Sequence, residues 1–192
     1  MKEQIMRATD SDSVTLRVDW TITDALIAAQ YEVLNAGAQQ FLVFDRLYET
    51  ARSGTRTVHP ELAYTRLDAT GILGIEKLVP PLPEDIDIEQ PELPYARLLD
   101  PGASLTGRVA VARPVRLNPA YPQGYAMTEA DSASAVMLRI GYAPFEEDAA
   151  ARQINANGEI LYSMRHAWVR PRQRLIESAP MELAVHIEPP RQ

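Results

Sequence analysis

The sequence predicts an all-β fold, a sandwich or barrel of about eight to nine strands. Short segments in which apolar and polar residues alternate recur along the chain, as at Val14 to Ile22. Turn-forming pairs such as Asn157-Gly158 separate several of them. One segment, Pro144 to Gln153, places acidic residues before three alanines and is typical of a short helix. We therefore expect at most one short helix.

Period-two alternation and turn residues define the expected strands in order. The segment 41–48 has apolar residues on both faces, as a central strand has, and Asp68 to Gly71 is a predicted hairpin turn. The long segment 160–170 follows Asn157-Gly158 and is also predicted to be a strand. The expected strands cover residues 14–22, 25–34, 41–48, 62–67, 72–79, 105–111, 136–142, 160–170 and 183–187.

The prolines mark the connections. Nine of the 15 prolines lie between Pro80 and Pro122, and proline donates no hydrogen bond to a sheet ladder. The pattern predicts extended loops at 80–103 and 114–132, within a loop-rich insertion at about 80–132. The length of 192 residues fits one domain, which we expect to span 13–192 after a flexible segment, 1–12.

Two segments resemble a known kind of sandwich. Tyr31-Glu32-Val33-Leu34-Asn35-Ala36-Gly37 looks like the strand and Asn-x-Gly turn of bacterial immunoglobulin-like domains. Leu98-Leu99-Asp100-Pro101-Gly102-Ala103-Ser104-Leu105 resembles their entry into a later strand. The layout is similar to that of intracellular proteinase-inhibitor-type sandwiches. The resemblance implies an immunoglobulin-like antiparallel β-sandwich and gives no residue a functional role.

Composition narrows the class of partner. The formal net charge is −7, so phosphate backbones repel the chain and we expect no nucleic-acid partner. There is no cysteine, which excludes disulfides and thiolate chemistry. The longest apolar runs are four residues, far below the roughly 20 that a membrane span needs. We expect a cytoplasmic protein, or a periplasmic or secreted one if a signal peptide was removed.

Enzyme motifs are missing. His59, His166 and His186 have no metal-binding spacing, and neither a G-x-S-x-G motif nor a phosphate-binding glycine loop occurs. We therefore expect no cofactor and no catalytic residue. His166 alternates in step with Tyr162, which predicts that it points into the core with its nitrogens hydrogen-bonded.

Three acidic residues are a candidate calcium site. In an extended chain Asp85, Asp87 and Glu89 project to one side, and calcium binds clustered carboxylates. The segment lacks the spacing of an EF-hand loop. A charged edge that blocks sheet-to-sheet pairing explains the same residues without a metal.

Two sets of side chains are candidates for binding a partner. Arginines cluster around Trp168, which strand parity places in the core. We expect these arginines either to bind a partner's carboxylates or to pair with nearby Asp and Glu of the same chain. Tyrosines in the predicted loops form a recognition surface or cover the end of the sandwich. The candidate residues are Arg165, Arg170, Arg172, Arg174, Tyr95, Tyr121 and Tyr125.

These observations predict a non-enzymatic protein-binding module that uses the surfaces of its loops. One alternative is a β-sandwich that binds a carbohydrate or small ligand through the tyrosines. Another is a metal-dependent hydrolase whose site is not visible in the sequence. We expect a protein partner, and a homodimer through an exposed edge strand is compatible with the sequence.

Overall fold

The computed structural model describes residues 14–85, 87–122, 132–146 and 151–188, and these ranges form an all-β fold with one short helix. The helix is α1 (His166–Val169). The strands are β1 (Val14–Ile22), β2 (Leu26–Asn35), β3 (Phe41–Arg46), β4 (Tyr48–Thr50), β5 (Arg56–Val58), β6 (Tyr64–Leu67), β7 (Ile72–Lys77), β8 (Tyr95–Leu99), β9 (Ser104–Ala112), β10 (Val115–Arg116), β11 (Ser132–Pro144), β12 (Arg152–Ala156), β13 (Glu159–Ser163), β14 (Arg174–Glu177) and β15 (Met181–Glu188).

Two sheets pack face to face. A three-stranded antiparallel sheet has the order β1-β2-β9. A ten-stranded sheet follows the order β10-β15-β11-β3-β8-β13-β12; in addition, β14 and β7 pair with β11, and β6 pairs with β7. The buried apolar side chains between them, which include Leu16, Ile27, Val43, Leu138 and Tyr142, form the first core. A separate hairpin joins β4 to β5.

The 13-residue strand β11 organises the large sheet. It pairs with β7 and β3 along one edge, and with β15 and β14 along the other. The β7–β11 and β10–β15 pairs are parallel. The sheet is therefore mixed, and the expectation of a purely antiparallel sandwich was wrong for these strands.

The second face of the large sheet is covered as well. Leu42, Phe44, Val79, Met164 and Val169 belong to the second core, which lies between this face and α1. All six residues of β3 are buried because the strand contributes to both cores. This confirms the prediction that 41–48 contains a central strand.

Both predicted hairpin turns are present. Asn157 and Gly158 have φ of 54° and 78°, the left-handed values that this turn requires, and they join β12 to β13. Between β6 and β7, the Asp68 carboxylate accepts hydrogen bonds from the backbone N–H groups of Thr70 and Ile72.

Several predictions were wrong in their bounds. The described residues contain more strands than eight or nine. The predicted strand 160–170 ends at Ser163, after which the chain turns into α1 and directs Met164 and Val169 into the second core. The helix predicted over 144–153 is not found where the structure describes the chain, since Pro144 ends β11 and Arg152 begins β12; residues 147–150 lie outside. The predicted loop 80–103 contains β8.

The two segments that carry the resemblance lie side by side. They contribute to the paired strands β2 and β9, and the buried Asn35 side chain donates to the carbonyls of Leu99 and Asp100 at 3.3 and 3.1 Å. Within the described ranges, no helix is long and apolar enough to cross a membrane. The segment 1–12 lies outside those ranges.

Candidate functional site

A ladder of ion pairs crosses four adjacent strands on the face of the large sheet that carries the second core. It consists of Arg66 on β6, Glu76 on β7, Arg139 on β11 and Glu177 on β14. Glu76 and Glu177 are the register partners of Arg139 on its two sides. Opposite charges therefore face each other directly across the strands, the arrangement in which cross-strand pairs stabilise a sheet.

Arg139 is the centre of this ladder. Its guanidinium contacts Glu76 at 3.0 Å, Glu177 at 2.9 Å and Asp68 at 3.3 Å. Burial alone would lower the pKa of Arg139, but hydrogen bonds and charge from Glu76, Glu177 and Asp68 raise it overall. Gly74 makes room for the pair, since a Cβ there would lie 2.9 Å from Arg139 Nη1.

A groove lies over the ladder. Two cavities of about 380 and 550 Å³ share Arg66, Asp68, Glu76, Pro80 and Pro81 in their walls. We call the two together the proline groove. Its first cavity is also lined by Tyr64, Leu82, Pro83, Pro119, Ala120 and Tyr121. Its second cavity is also lined by Leu78, His166, Arg170, Gln173, Leu175 and Glu177.

Hydrogen bonds fix the walls of the proline groove. The Gln173 side chain donates to Val79 O at 2.9 Å and accepts from Val79 N–H at 2.7 Å, which holds the start of the 80–83 segment. The Tyr121 hydroxyl accepts from Glu92 N–H at 2.8 Å. This last bond joins the segments 80–94 and 117–122, so residues from both predicted loop regions meet at one site.

Two hydrogen-bond donors border the first cavity. Burial raises the pKa of the half-buried Tyr64 hydroxyl, so it carries its proton at neutral pH, and no described residue accepts a hydrogen bond from it. Arg66 is exposed, and among the described residues its one partner is Glu76, at 3.3 Å. The groove therefore combines apolar proline and tyrosine walls with donors able to bind a ligand oxygen.

The predicted tyrosines lie in different environments. Tyr121 lines the groove and is 9% exposed. Tyr95 lies in β8, buried beside Tyr48 at a ring-centroid distance of 5.1 Å, rather than in a loop. Tyr125 lies outside the described residues.

The predicted arginines are dispersed around α1. Arg170 lines the second cavity, whereas Arg165 is exposed just before the helix. Arg172 stacks on the Trp168 ring at 4.9 Å and pairs with Glu146 at 3.3 Å, so it already has an acidic neighbour. Arg174 is exposed in β14.

His166 and Trp168 depart from the expected strand geometry because they lie in α1. Both are half-buried, and Trp168 packs against the second core instead of lying within it. His166 Nε2 and Trp168 Nε1 are enclosed without a hydrogen-bond partner among the described residues. The expectation that the nitrogens of His166 are bonded was therefore wrong for Nε2. Burial and the nearby positive charge of Arg170 lower the pKa of the His166 imidazole.

The acidic calcium candidates Asp85, Asp87 and Glu89 are exposed. Among the described residues, no group of three or more histidine or carboxylate side chains is close enough to hold a metal ion. His59 contacts Glu49 at 3.4 Å, and His186 is exposed in β15.

A second set of charges is centred on Asp45 of β3, which is fully buried between the sheets, and extends to the partly exposed Glu159. Its carboxylate accepts from Arg97 through both oxygens, from Arg46 at 3.1 Å and from the Tyr31 hydroxyl at 2.7 Å. Arg46 also binds Glu159 through two hydrogen bonds. Lys77 donates to the carbonyls of Asp45 and Pro60 at 3.1 and 2.6 Å. We call this set, Tyr31, Asp45, Arg46, Lys77, Arg97 and Glu159, the buried ionic cluster.

The partners within the cluster determine its charge states. Burial would raise the pKa of Asp45, but Arg97, Arg46 and Lys77 lower it below its ordinary value. Burial lowers the pKa of Lys77 to about 8, against the opposing effect of Asp45. A cavity of about 630 Å³ adjoins Tyr31 and Arg46. Because the charged groups already bind one another, we assign the cluster a structural role.

Sequence reasoning missed the groove residues Tyr64, Arg66, Asp68, Glu76 and Arg139, and local spacing gives no signal for them. The comparisons add no precedent: no protein-family model, curated protein or solved structure matches this chain. The function must therefore be argued from the groove itself.

Proposed function

We propose that this protein is a non-enzymatic binding module that holds an extended, proline-containing segment of a partner protein in the proline groove. The observation that carries the proposal is the convergence of residues from two proline-rich regions on one groove, beside the donors of Tyr64 and Arg66. The resemblance of two segments to immunoglobulin-like domains is compatible with a binding role, since sandwiches of that kind present their loops at the ends.

The chemistry of the walls favours this occupant. An extended polyproline-type segment has no internal hydrogen bonds, so its carbonyl oxygens are available to donors. Domains that bind such segments use aromatic-lined grooves. Tyr64 and Tyr121 supply the aromatic wall, and Tyr64 and Arg66 supply donors that fit the ligand's carbonyls. Glu76, Arg139 and Glu177 pair with one another, so we expect the affinity to come from apolar contact with the walls and from the donors of Tyr64 and Arg66.

The length of the groove sets the length of the segment. The ladder spans the four strands β6, β7, β11 and β14, and neighbouring strands are about 4.8 Å apart, so it is about 14 Å long. An extended chain rises about 3.1 Å per residue in the polyproline conformation. A segment of about five residues therefore covers the ladder.

The test is binding of the full chain to an array of proline-containing peptides, followed by titration calorimetry of the peptides that bind. Tyr64→Phe removes one donor without changing the ring, and Arg66→Gln removes the other. We expect the double variant to weaken binding about tenfold or more, the loss of one to two hydrogen bonds. Arg152→Gln, an exposed arginine on β12, is the matched control and leaves affinity unchanged.

Equal affinity of the double variant and the wild type would contradict the proposal, as would an array without a bound peptide.

The alternative, a carbohydrate or small polar ligand, is favoured by the carboxylates of Asp68 and Glu76 beside Tyr64 and Tyr121 in the 380 Å³ cavity. A glycan array screened with the same variants separates the two. Glycan binding that Tyr121→Ala abolishes, with no peptide bound, would establish the alternative.

A further inference from the structure

The strand β1 leaves one edge of the three-stranded sheet without a partner strand among the described residues. It has nine residues, no proline, and a pairing with β2 that contains no bulge. Its core-facing side chains, at even-numbered positions, carry no charge. Proline, bulges and inward-pointing charges are among the features that keep an edge strand unpaired, and β1 has none of these three.

The direction of the backbone groups follows from one hydrogen bond. Thr23 N–H donates to Leu26 O at 2.9 Å in the turn that joins β1 to β2. Since backbone groups alternate between the two edges of an antiparallel strand, odd-numbered residues of β1 bond to β2. The N–H and C=O groups of the even-numbered residues, Val14 to Ile22, therefore point to the open edge.

We propose that a second copy of this chain pairs with this edge, antiparallel to β1 and centred on Val18. In that register every outward N–H and C=O group from Val14 to Ile22 gains a partner. Leu16 lies opposite Trp20 of the partner subunit. The two sheets become one six-stranded sheet across the two-fold axis.

Charge complementarity selects this register. Arg17 lies opposite Asp19 of the partner subunit, and the two-fold axis repeats the pair. Both side chains are exposed, and among the residues that the structure describes Arg17 makes only a distant ion pair with Glu32, at 3.9 Å. The core-facing side chains of Val18, Trp20 and Ile22 are half-buried against the first core, so a partner strand would remove further apolar surface from water.

The test measures the mass of the full chain by sedimentation equilibrium over a range of concentrations. We expect a monomer–dimer equilibrium. Arg17→Asp and Asp19→Arg each place like charges opposite each other twice, and each should raise the dimer Kd about tenfold. The double variant Arg17→Asp/Asp19→Arg restores both pairs and should return the Kd close to that of the wild type.

Cross-linking tests the centre of the register, since the chain has no cysteine of its own. Cα atoms of a hydrogen-bonded antiparallel pair are about 5.5 Å apart, within disulfide range. Val18→Cys should therefore form a disulfide-linked dimer under mild oxidation. Thr15→Cys, which would lie opposite Thr21 of the partner subunit, should stay unlinked. A monomer at all concentrations, or a dimer indifferent to the charge variants, would overturn the proposal.

Discussion

Lys77 and Asp45 are buried charges in strands that are otherwise apolar. Both are 0% exposed, and the ammonium lies between two carbonyls, 5.8 Å from the centre of the Tyr31 ring. Removing one partner from such a set leaves an uncompensated buried charge, and the hydrogen bond from Tyr31 to Asp45 joins the two sheets. The cluster therefore links β2, β3, β7 and β8 through polar groups at the centre of the fold.

The free energy of unfolding should rise between about pH 8 and pH 10 because of Lys77. Its pKa is about 8 in the folded protein and about 10.4 in an unfolded chain. Between these values the unfolded state binds more protons, so the slope is positive, up to about 1.4 kcal/mol per pH unit. Urea unfolding from about pH 7 to pH 9.5 measures it. Lys77→Met should flatten the curve over this range.

Lysine-selective NMR gives the direct check. The chain contains two lysines, Lys2 and Lys77, so the second resonance is an internal reference. A Lys77 titration near pH 8 supports the assignment. A titration at the ordinary value, or parallel stability curves for wild type and Lys77→Met, would show that the ammonium is solvated.

The sequence contains a signal for one of these residues. Asp45 follows Phe41-Leu42-Val43-Phe44, a run that is apolar on both faces of a strand, so a charge there must be buried and paired. Its partners Arg97 and Lys77 are 52 and 32 positions away. No local period relates them, which is why the cluster could be suspected but not assembled from the sequence.

At the scale of elements, Gly107 sets how closely β2 and β9 approach. It is the register partner of Tyr31, and a Cβ at this position would overlap the ring and hydroxyl of that tyrosine. The ring therefore lies across the glycine, where it can reach Asp45.

Gly107→Ala should lower the free energy of unfolding by about 1–3 kcal/mol, because the Tyr31 ring is held by the cluster and cannot move aside. Gly74→Ala is the matched control. There the close atoms are Arg139 Nη1 and Glu76 Oε1, the ends of flexible side chains, at 2.9 Å. We expect a smaller loss for the control in urea unfolding. Equal losses of unfolding free energy in the two variants would mean that replacing any glycine in these strands is destabilising, and that the Tyr31 ring is not the cause.

Alternating strands were predictable, and segments with mixed signals were not. β1 was predicted with the correct bounds because one of its faces is buried and the other is exposed to solvent, so its apolar and polar residues alternate. β8 was missed because Pro91 and Pro94, just before it, favoured a loop for the whole region, although Tyr95 to Leu99 contain no proline. β12 was missed because the alanines before Arg152 favour a helix. In each case tertiary packing outweighed the local pattern.

At the scale of the whole molecule, the large sheet is shared by two cores. β11 places Leu138 and Tyr142 in the first core and Ala143 in the second, and β3 divides its residues in the same way. The proline groove and the ion ladder lie on the face of the second core, and the open edge of β1 lies in the opposite layer. Neither surface could be located from the sequence, because the groove depends on how the chain segments pack and the open edge depends on the order of the strands in the sheet.

Because both cores share β3 and β11, we expect them to unfold together. The two tryptophans report on opposite layers: Trp20 packs against the first core and Trp168 against the second. Trp20→Phe and Trp168→Phe therefore give two single-tryptophan proteins whose urea transitions, followed by fluorescence, should coincide.

Adding Leu138→Ala, which empties part of the first core at a cost of about 2–5 kcal/mol, should shift both transitions equally. If the Trp168 signal keeps its midpoint while the Trp20 signal moves, the two layers are separate folding units and the expected domain of 13–192 must be divided.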